Sequence, residues 1–570
     1  MADSGTPSTG DLSQAPVTPR GAGKPGLVYV ILLVLVLFPY AFHLFSFTVF
    51  EGFATLSSDS FSYIRQALVW SPYSGTEAHV LNTLPEHVRA PGFSWLLAIS
   101  GAAESTLRAH LLVSVLLLLS IAVGSWIAYR SAGLVAGIGL AIGFCLLPGA
   151  VISSLPILSE NLYLLASMVT LMLYERVLRG ADGKPLIKFT WRLALLACLL
   201  LAILTRSVGL ALVAAMVTAA LIGPGQKAPG KPAVILVSVL ATAGWLSWIM
   251  LGAPADIPGE QSYFISIFAG QDQSLADGLA FLWHSINQNI SALVRAWIHY
   301  LTLTHDNPLL FAGAFLLLAV VMLSTALRAL QLKADALYLC AYLAIILLWP
   351  FTQGMMRFLH PMVMLLLLQP VLLLGRGSLR ASGAGRSLLI GLIVLILIGG
   401  GLAAQYRLLG LQQLAERHYP AARHAQEYYA SLDRVAAINL PMVWQATIQQ
   451  MKSSADVIPQ QSTVAAVKHE AFMLLAGRRA VMLSSRVSYE KQLCNFHLQD
   501  VDFVFLSPIN SQLVPQPYEL VDEYSEITEF VLSRNNADGS PLAYVIKLDK
   551  QAYVSALEEA GVQCTGVALN

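Results

Sequence analysis

The sequence predicts an all-α polytopic membrane bundle of about eleven transmembrane helices, with a small α/β domain at its C-terminal end. Three observations predict the architecture. The chain of 570 residues is 56% hydrophobic and only 12% charged, where a soluble globular protein carries about 25% charged residues. Its apolar residues come in runs of roughly 20, the length needed to cross about 30 Å of hydrocarbon. From Gln405 onward the composition becomes that of a soluble protein, with helix and strand patterns in succession.

Residues 1–26 are small, polar and rich in Pro and Gly, and read as a disordered cytoplasmic tail. The first apolar run, Leu27 to about Val49, follows Arg20 and Lys24 and is too long for a cleaved signal peptide. It reads as a retained helix that also starts translocation. The other runs are about 109–129, 132–150, 157–175, 190–205, 207–222, 233–253, 308–327, 335–350, 358–375 and 387–404.

Charge sets the orientation. With the N-terminus in the cytoplasm, the cytoplasmic loops hold Arg130; Arg176, Arg179, Lys184, Lys188 and Arg192; Lys227 and Lys231; Arg328 and Lys333; and Arg376, Arg380 and Arg386. The short loops on the other side hold almost no basic residues except Arg206 and Arg357, which is the positive-inside pattern. Residues 193–222 form one apolar stretch interrupted by Thr205, Arg206 and Ser207. Read as one helix, the stretch inverts the charge bias of every later loop. Two short helices joined outside at Arg206 preserve it.

This division gives a transmembrane domain over 27–404, with outer loops 50–107 and 254–307, and an extracytoplasmic domain over 405–570. About half the chain then lies outside the spans. Such an investment favours chemistry at the outer membrane face over passage through the bundle. The compact loops and the absence of eukaryotic retention signals point to a bacterial inner membrane.

In the last domain, 405–440 reads as helix. STVAAV follows as a strand, KHEAFMLLAG as a helix closed by Gly477, and RRAVMLS and VDFVFLS as strands. EITEFVLS and LAYVIKL flank the turn signal NNADGSP, and DKQAYVSALEEAG closes as a helix. Cys494 and Cys564 lie here, whereas Cys145, Cys198 and Cys340 fall in spans. In an oxidising compartment the first two are candidates for a disulfide; the alternative is two buried free thiols.

No Walker loop, dinucleotide-binding glycine pattern, HExxH or CxxC occurs, so soluble nucleotide chemistry has no support. Net charge is +1 and no basic block with interleaved aromatics suggests nucleic acid. What remains is a set of ionisable residues at the outer ends of the spans. Asp59, in TLSSDSFSYIRQA, has Tyr63 on its helical face and is placed either to act as a general base or to cap its helix. Arg89, in HVRAPGFSWLLAIS, precedes a stretch too short to span, which lies in the interface. There it either holds a lipid phosphate or anchors among headgroups. Glu160, in LPILSENLYLL, sits in the first turn of a span, where it faces a cavity or answers the helix dipole. Arg206 and Arg357 are exceptions to the charge rule that need a cause: pairing with Asp59 or Glu160, or binding an anionic ligand.

Taken in order, these segments resemble the polytopic GT-C glycosyltransferases, especially the branch of protein O-mannosyltransferases and the aminoarabinose transferase of lipid A. DSFSYIRQA resembles that family's first-loop acidic motif. RAPGFSWLLA resembles its basic-Pro-Pro juxtamembrane helix, with Gly92 in place of the second Pro. LPILSENLYLL resembles its second acidic site, and LTRSVGLAL and RFLHPMVMLLL resemble its Arg-bearing junctions. An outer C-terminal domain with a strand followed by a "GR" turn, here Ala476-Gly477-Arg478, also occurs among such proteins.

The resemblance implies transfer of a sugar from a polyprenyl-phosphate-linked donor to an unidentified extracytoplasmic acceptor. It implies Asp59 as the base, and Glu160 as a catalytic residue that positions acceptor or sugar. Arg89, Arg206 and Arg357 become lipid-phosphate ligands, and Tyr63 and His360 line the pocket. Trp283, His284, Trp297 and His299 of the second outer loop are candidates to cover the site or to anchor at the interface. Where many relatives have two adjacent acids, this chain has Asp59 between serines, which leaves divalent-metal binding open; no obligatory metal or other cofactor is expected. The partners expected are the lipid-linked donor, membrane lipids and the acceptor, without nucleic acid. The rival classes are a transporter or lipid flippase, which needs mid-span ionisable residues that are nearly lacking here, and a non-catalytic envelope-assembly subunit.

Overall fold

The computed structural model describes residues 26–48, 58–75, 90–154, 156–180, 185–223, 228–252, 275–303, 307–349, 354–375, 383–418, 447–483, 489–507, 528–535, 541–559, 561–562 and 564. It is mostly helical, with a small C-terminal sheet. In chain order the helices of the first part are α1 Leu27–Thr48, α2 Ser58–Trp70, α3 Pro91–Ile99, α4 Thr106–Ala132, α5 Leu134–Leu146, α6 Pro148–Ile152, α7 Glu160–Leu178 and α8 Pro185–Thr205. They continue as α9 Leu210–Ile222, α10 Lys231–Gly252, α11 Leu275–Thr302, α12 Pro308–Leu330, α13 Ala334–Leu347, α14 Met355–Gly375 and α15 Gly383–His418.

Each apolar run of the sequence falls on a helix, but the expected count of eleven spans is not established. Among the described residues, seven helices are long and apolar enough to cross a membrane: α1, α4, α8, α10, α12, α14 and α15. Three others, α5, the 207–222 segment and α13, are apolar but shorter. A helix of 13 residues such as α5 rises about 20 Å, less than the roughly 30 Å of the hydrocarbon layer. The run at 132–150 is cut because Pro148 has no amide hydrogen and disfavours helix in the residue before it; Leu147 is accordingly extended. The remaining helix, α7, carries Glu160, Glu175 and Arg176.

The break at Arg206 is present. Arg206 has extended backbone (φ −151°, ψ 128°), and a 3-10 turn over Ser207–Gly209 leads into α9. A Cβ at Gly209 would stand 2.9 Å from the Cα of Ile203, so the chain folds back on α8 only because this residue has no side chain.

α14 is the central helix. Of its spanning window 89% is buried, against 17–28% for α1, α8, α10, α12 and α15. Those outer helices display Leu35 and Phe38 of α1, Met250 of α10 and Leu388 and Leu395 of α15, an apolar surface suited to lipid. Opposite ends of α14 hold two ionic clusters. At its C-terminal half, Gln369 accepts from Nε of Arg328 and donates to Asp335, which also pairs with Arg328. Arg328, expected as a loop cation, is thus buried.

The 254–307 loop contains the 28-residue helix α11. Trp297 on it is buried and donates Nε1–H to the Ala314 carbonyl, and His299 is also buried, whereas Trp283 is exposed. α15 runs without interruption from Gly383 to His418, through the position where sequence places the boundary between the two domains. Of the helix read over 405–440, the part beyond 418 lies outside the described residues.

The C-terminal domain comprises β1 Thr463–Ala466, α16 His469–Ala476, β2 Arg479–Met482, α17 Tyr489–Leu498, β3 Phe503–Leu506, β4 Thr528–Asn535, β5 Pro541–Leu548 and α18 Lys550–Glu559. The strand order is β2-β1-β3-β5-β4, with β1 parallel to β2 and β3 and the last three strands antiparallel. Gly477 caps α16 at φ +61°. Alternation sorts the strand residues between two faces. Val464, Ala466, Phe503 and Phe505 join one core with α16, while Ala465, Val481, Val504 and Leu506 join another with α17 and α18. A disulfide joins Cys494 of α17 to Cys564 beyond α18, on this second face.

The first of these cores does not stop at the domain. It continues through Phe61, Tyr63 and Ile64 of α2, Phe93 and Leu97 of α3, Val113 of α4 and Leu162 of α7. The loop helices are therefore packed between the membrane bundle and the sheet.

Candidate functional site

α2 begins at Ser58, so Asp59 falls in its first turn, at the end of the bundle where α7 and α14 begin and α8 ends. The Asp59 carboxylate pairs with Nη1 of Arg357, in the first turn of α14. Arg357 turns its Nε to Oε1 of Glu160, the first residue of α7. The same oxygen accepts from Nη1 of Arg206 at 2.6 Å. Four charged residues from four distant segments thus form one network, with two cations and two anions.

Its members differ in exposure. Glu160 is buried, with 1% of its side chain exposed, and Asp59 and Arg357 show 23% each to solvent. A buried carboxylate is tolerable only when paired, and Glu160 has two guanidinium partners on one oxygen. Its other oxygen, Oε2, is buried and has no hydrogen-bond partner among the described residues. The Arg206 guanidinium lies 5.6 Å from the centre of the Phe358 ring, a cation–π contact that helps hold it beside Glu160.

Tyr63, one turn along α2 from Asp59, is buried; its hydroxyl lies 3.0 Å from Oγ of Ser159, the residue before Glu160. Its ring meets Phe93 of α3 edge-on at 5.2 Å. α3 comes close to α8 because residue 92 is glycine: a Cβ there would lie 2.8 Å from Oγ1 of Thr205 and 3.0 Å from the carbonyl carbon of Leu204. The departure from a second Pro at this place therefore coincides with a close approach beside Arg206 that a side chain would obstruct.

His360, one turn past Arg357, is fully buried. Asn161 donates Nδ2–H to the Val113 carbonyl and to Ser154 Oγ, both at 3.1 Å, which turns its Oδ1 to His360 Nε2 at 2.6 Å. Nε2 must then carry the proton, so Nδ1 accepts from the Tyr300 hydroxyl at 2.7 Å. Both nitrogens are engaged, and the side chain braces α7 against α14 behind the network.

Arg89 lies outside the described residues, and the disulfide is on the far face of the sheet from α16. Among the described residues no group of three His, Cys, Asp or Glu side chains is placed to hold a metal.

The reading from sequence missed one contribution, that of the C-terminal domain. Ser62, three residues after Asp59, donates to Glu470 of α16. Before it come Lys468 and His469. Burial holds the Lys468 ammonium below its ordinary range, against the opposite pull of Asp59 and Glu470. Burial, with the cations of Arg65 and Lys468, pushes His469 down to about 3. The signal available was the run Lys-His-Glu directly after an apolar strand, at the end where parallel sheets place functional residues.

No protein-family model and no curated protein sequence matches the chain. Among solved structures it is similar to ArnT from Cupriavidus metallidurans bound to undecaprenyl phosphate, at a TM-score of 0.48 and 13% identity, covering 91% of this chain and 98% of that one. It is also similar to the same protein in the apo state, at a TM-score of 0.46 and 12% identity with the same coverage.

Proposed function

We propose that this chain is a membrane glycosyltransferase that moves a sugar from a polyprenyl-phosphate carrier to an acceptor at the extracytoplasmic face. The observation that carries the reading is the convergence of Asp59, Glu160, Arg206 and Arg357 at one end of the bundle, roofed by a soluble domain. The resemblance of the segments that hold them supports it.

The chemistry follows from the charges. An acceptor hydroxyl attacks the anomeric carbon, the new C–O bond forms and the bond from that carbon to the phosphate oxygen breaks. Negative charge grows on the leaving phosphate, and guanidinium groups fixed beforehand stabilise it at little reorganisation cost. Arg206 and Arg357 are such groups, held by Glu160. Arg357 also spans to Asp59, so a phosphate that draws Arg357 away releases that carboxylate to accept the hydroxyl proton. Tyr63, buried between Ser159 and Phe93, shapes the wall beside Asp59. The orientation that keeps the basic loops in the cytoplasm puts this site on the outer face.

Asp59→Asn tests the reading. The variant should reach the membrane in normal amount and lose transfer from lipid-linked donor to acceptor, measured by mass spectrometry of lipid-linked sugars and glycans. Unchanged transfer would remove Asp59 as the base.

A further inference from the structure

The C-terminal domain meets the charged network through Lys468, His469 and Glu470, where β1 ends and α16 begins. The topology explains why the contact is made there. From β1 the chain moves to β2 through α16 on one sheet face, then crosses to β3, on the other side of β1, through α17 on the opposite face. The C-terminal end of β1 is therefore the switch point of the parallel part of the sheet, the place where such sheets present ligand-binding residues. In this molecule that end does not open to bulk solvent alone. It is pressed against α2, with Ser62 donating to Glu470 and Phe472 in the same core as Phe61.

Lys468 is the cation this arrangement delivers. Asp59 and Glu470 are the acids that act on it, yet among the described residues no hydrogen bond or ion pair reaches its ammonium group. Arg206 and Arg357, in contrast, are already engaged by Glu160 and Asp59. The side chain is half-buried. A lysine on a flexible stem, with rotatable donors, suits a phosphate oxygen whose position shifts during transfer, and complements the fixed forks of the two arginines.

We propose that Lys468 is a phosphate-binding residue of this site, supplied by the C-terminal domain, so that the site is complete only with that domain seated on α2. The inference rests on the reading of the site as one for a phosphate-linked lipid.

The test uses the full-length protein in nanodiscs, titrated with decaprenyl monophosphate, with decaprenol and with inorganic phosphate. Wild type should bind the monophosphate in preference to the alcohol. Lys468→Gln should weaken that binding about tenfold or more without lowering the unfolding temperature of the free protein, and Lys468→Arg should restore most of it. A loss confined to the lipid monophosphate supports the carrier as the source of the phosphate. A loss seen with inorganic phosphate as well supports the same role with free phosphate as an additional ligand. Lys468→Gln binding like wild type, while Arg357→Gln binds weakly, overturns the role of Lys468 and leaves the donor reading standing. Equal binding of monophosphate and alcohol by wild type overturns both.

Discussion

Arg206 donates to Glu160 at 2.6 Å across 46 residues of chain. Two features of sequence make this contact: a helix that starts at an acid, and an apolar stretch that breaks at a base. With Arg357 on the same oxygen, Glu160 is the hub of the network. Replacing it by Ala leaves Arg357 with Asp59 alone and takes from Arg206 its carboxylate partner, and should destabilise the protein by about 3–5 kcal/mol. In a double-mutant cycle in detergent, Glu160→Ala with Arg206→Ala should cost clearly less than the sum of the two singles. Additive losses would show that the pair is not coupled.

Arg357→Lys keeps the charge and should still fail. Arg357 uses Nε for Glu160 and Nη1 for Asp59, two directions that a single ammonium does not reproduce. Transfer should fall about a hundredfold, with protein amount unchanged. Steady-state rates against lipid-linked donor measure it, and wild-type turnover would remove the two-sided role.

Gly92→Ala tests the seam between α3 and α8. The added methyl would press on Leu204 and Thr205, adjoining Arg206, and should cost about 1–3 kcal/mol in stability. A lower unfolding midpoint with weaker donor binding is expected. An unchanged midpoint would mean that α3 yields freely.

Acid should loosen the domain interface. His469 is held neutral in the folded protein, its value depressed from 6.5 to about 3. The unfolded chain takes up that proton first, so the stability from a neutral His469 is present above pH 6.5 and is lost as pH falls towards 3. Hydrogen-exchange protection of the α2 and α16 amides, relative to unstructured amides at the same pH, should fall over this interval, and His469→Gln should flatten the profile. Identical profiles would exclude His469 as the titrating group.

The sequence made much of this site legible because its acids and bases break a strong background. In helices nearly free of charge, Glu160, Arg206 and Arg357 are conspicuous, and the charge rule dictated the turn at Arg206 that the backbone adopts. Span lengths were less legible: the run through Leu147 and Pro148 is apolar throughout, and only the backbone rules for proline divide it. α17 was missed for a different reason. Its ten residues carry only a short apolar stripe, Leu493 and Phe496, flanked by buried Gln492 and Asn495, too brief a pattern to read as a helix. Lys468 was invisible because nothing local relates it to Asp59; only the sheet's strand order and the packing of α16 on α2 bring them together.

The core shared by α2 and the sheet also sets an order of assembly. Ser62 and Glu470 are 408 residues apart, an interval that takes roughly 20–80 s to synthesise at ordinary ribosomal rates. Throughout that time Phe61 and Ile64 lack the side chains of Phe472 and Phe505 that complete their core. Contacts of such separation form late, after the cost of closing the long loop has been met. The second helix to leave the ribosome is thus among the last to be finished, and its apolar face beside the charged network stays uncovered until the final strands arrive.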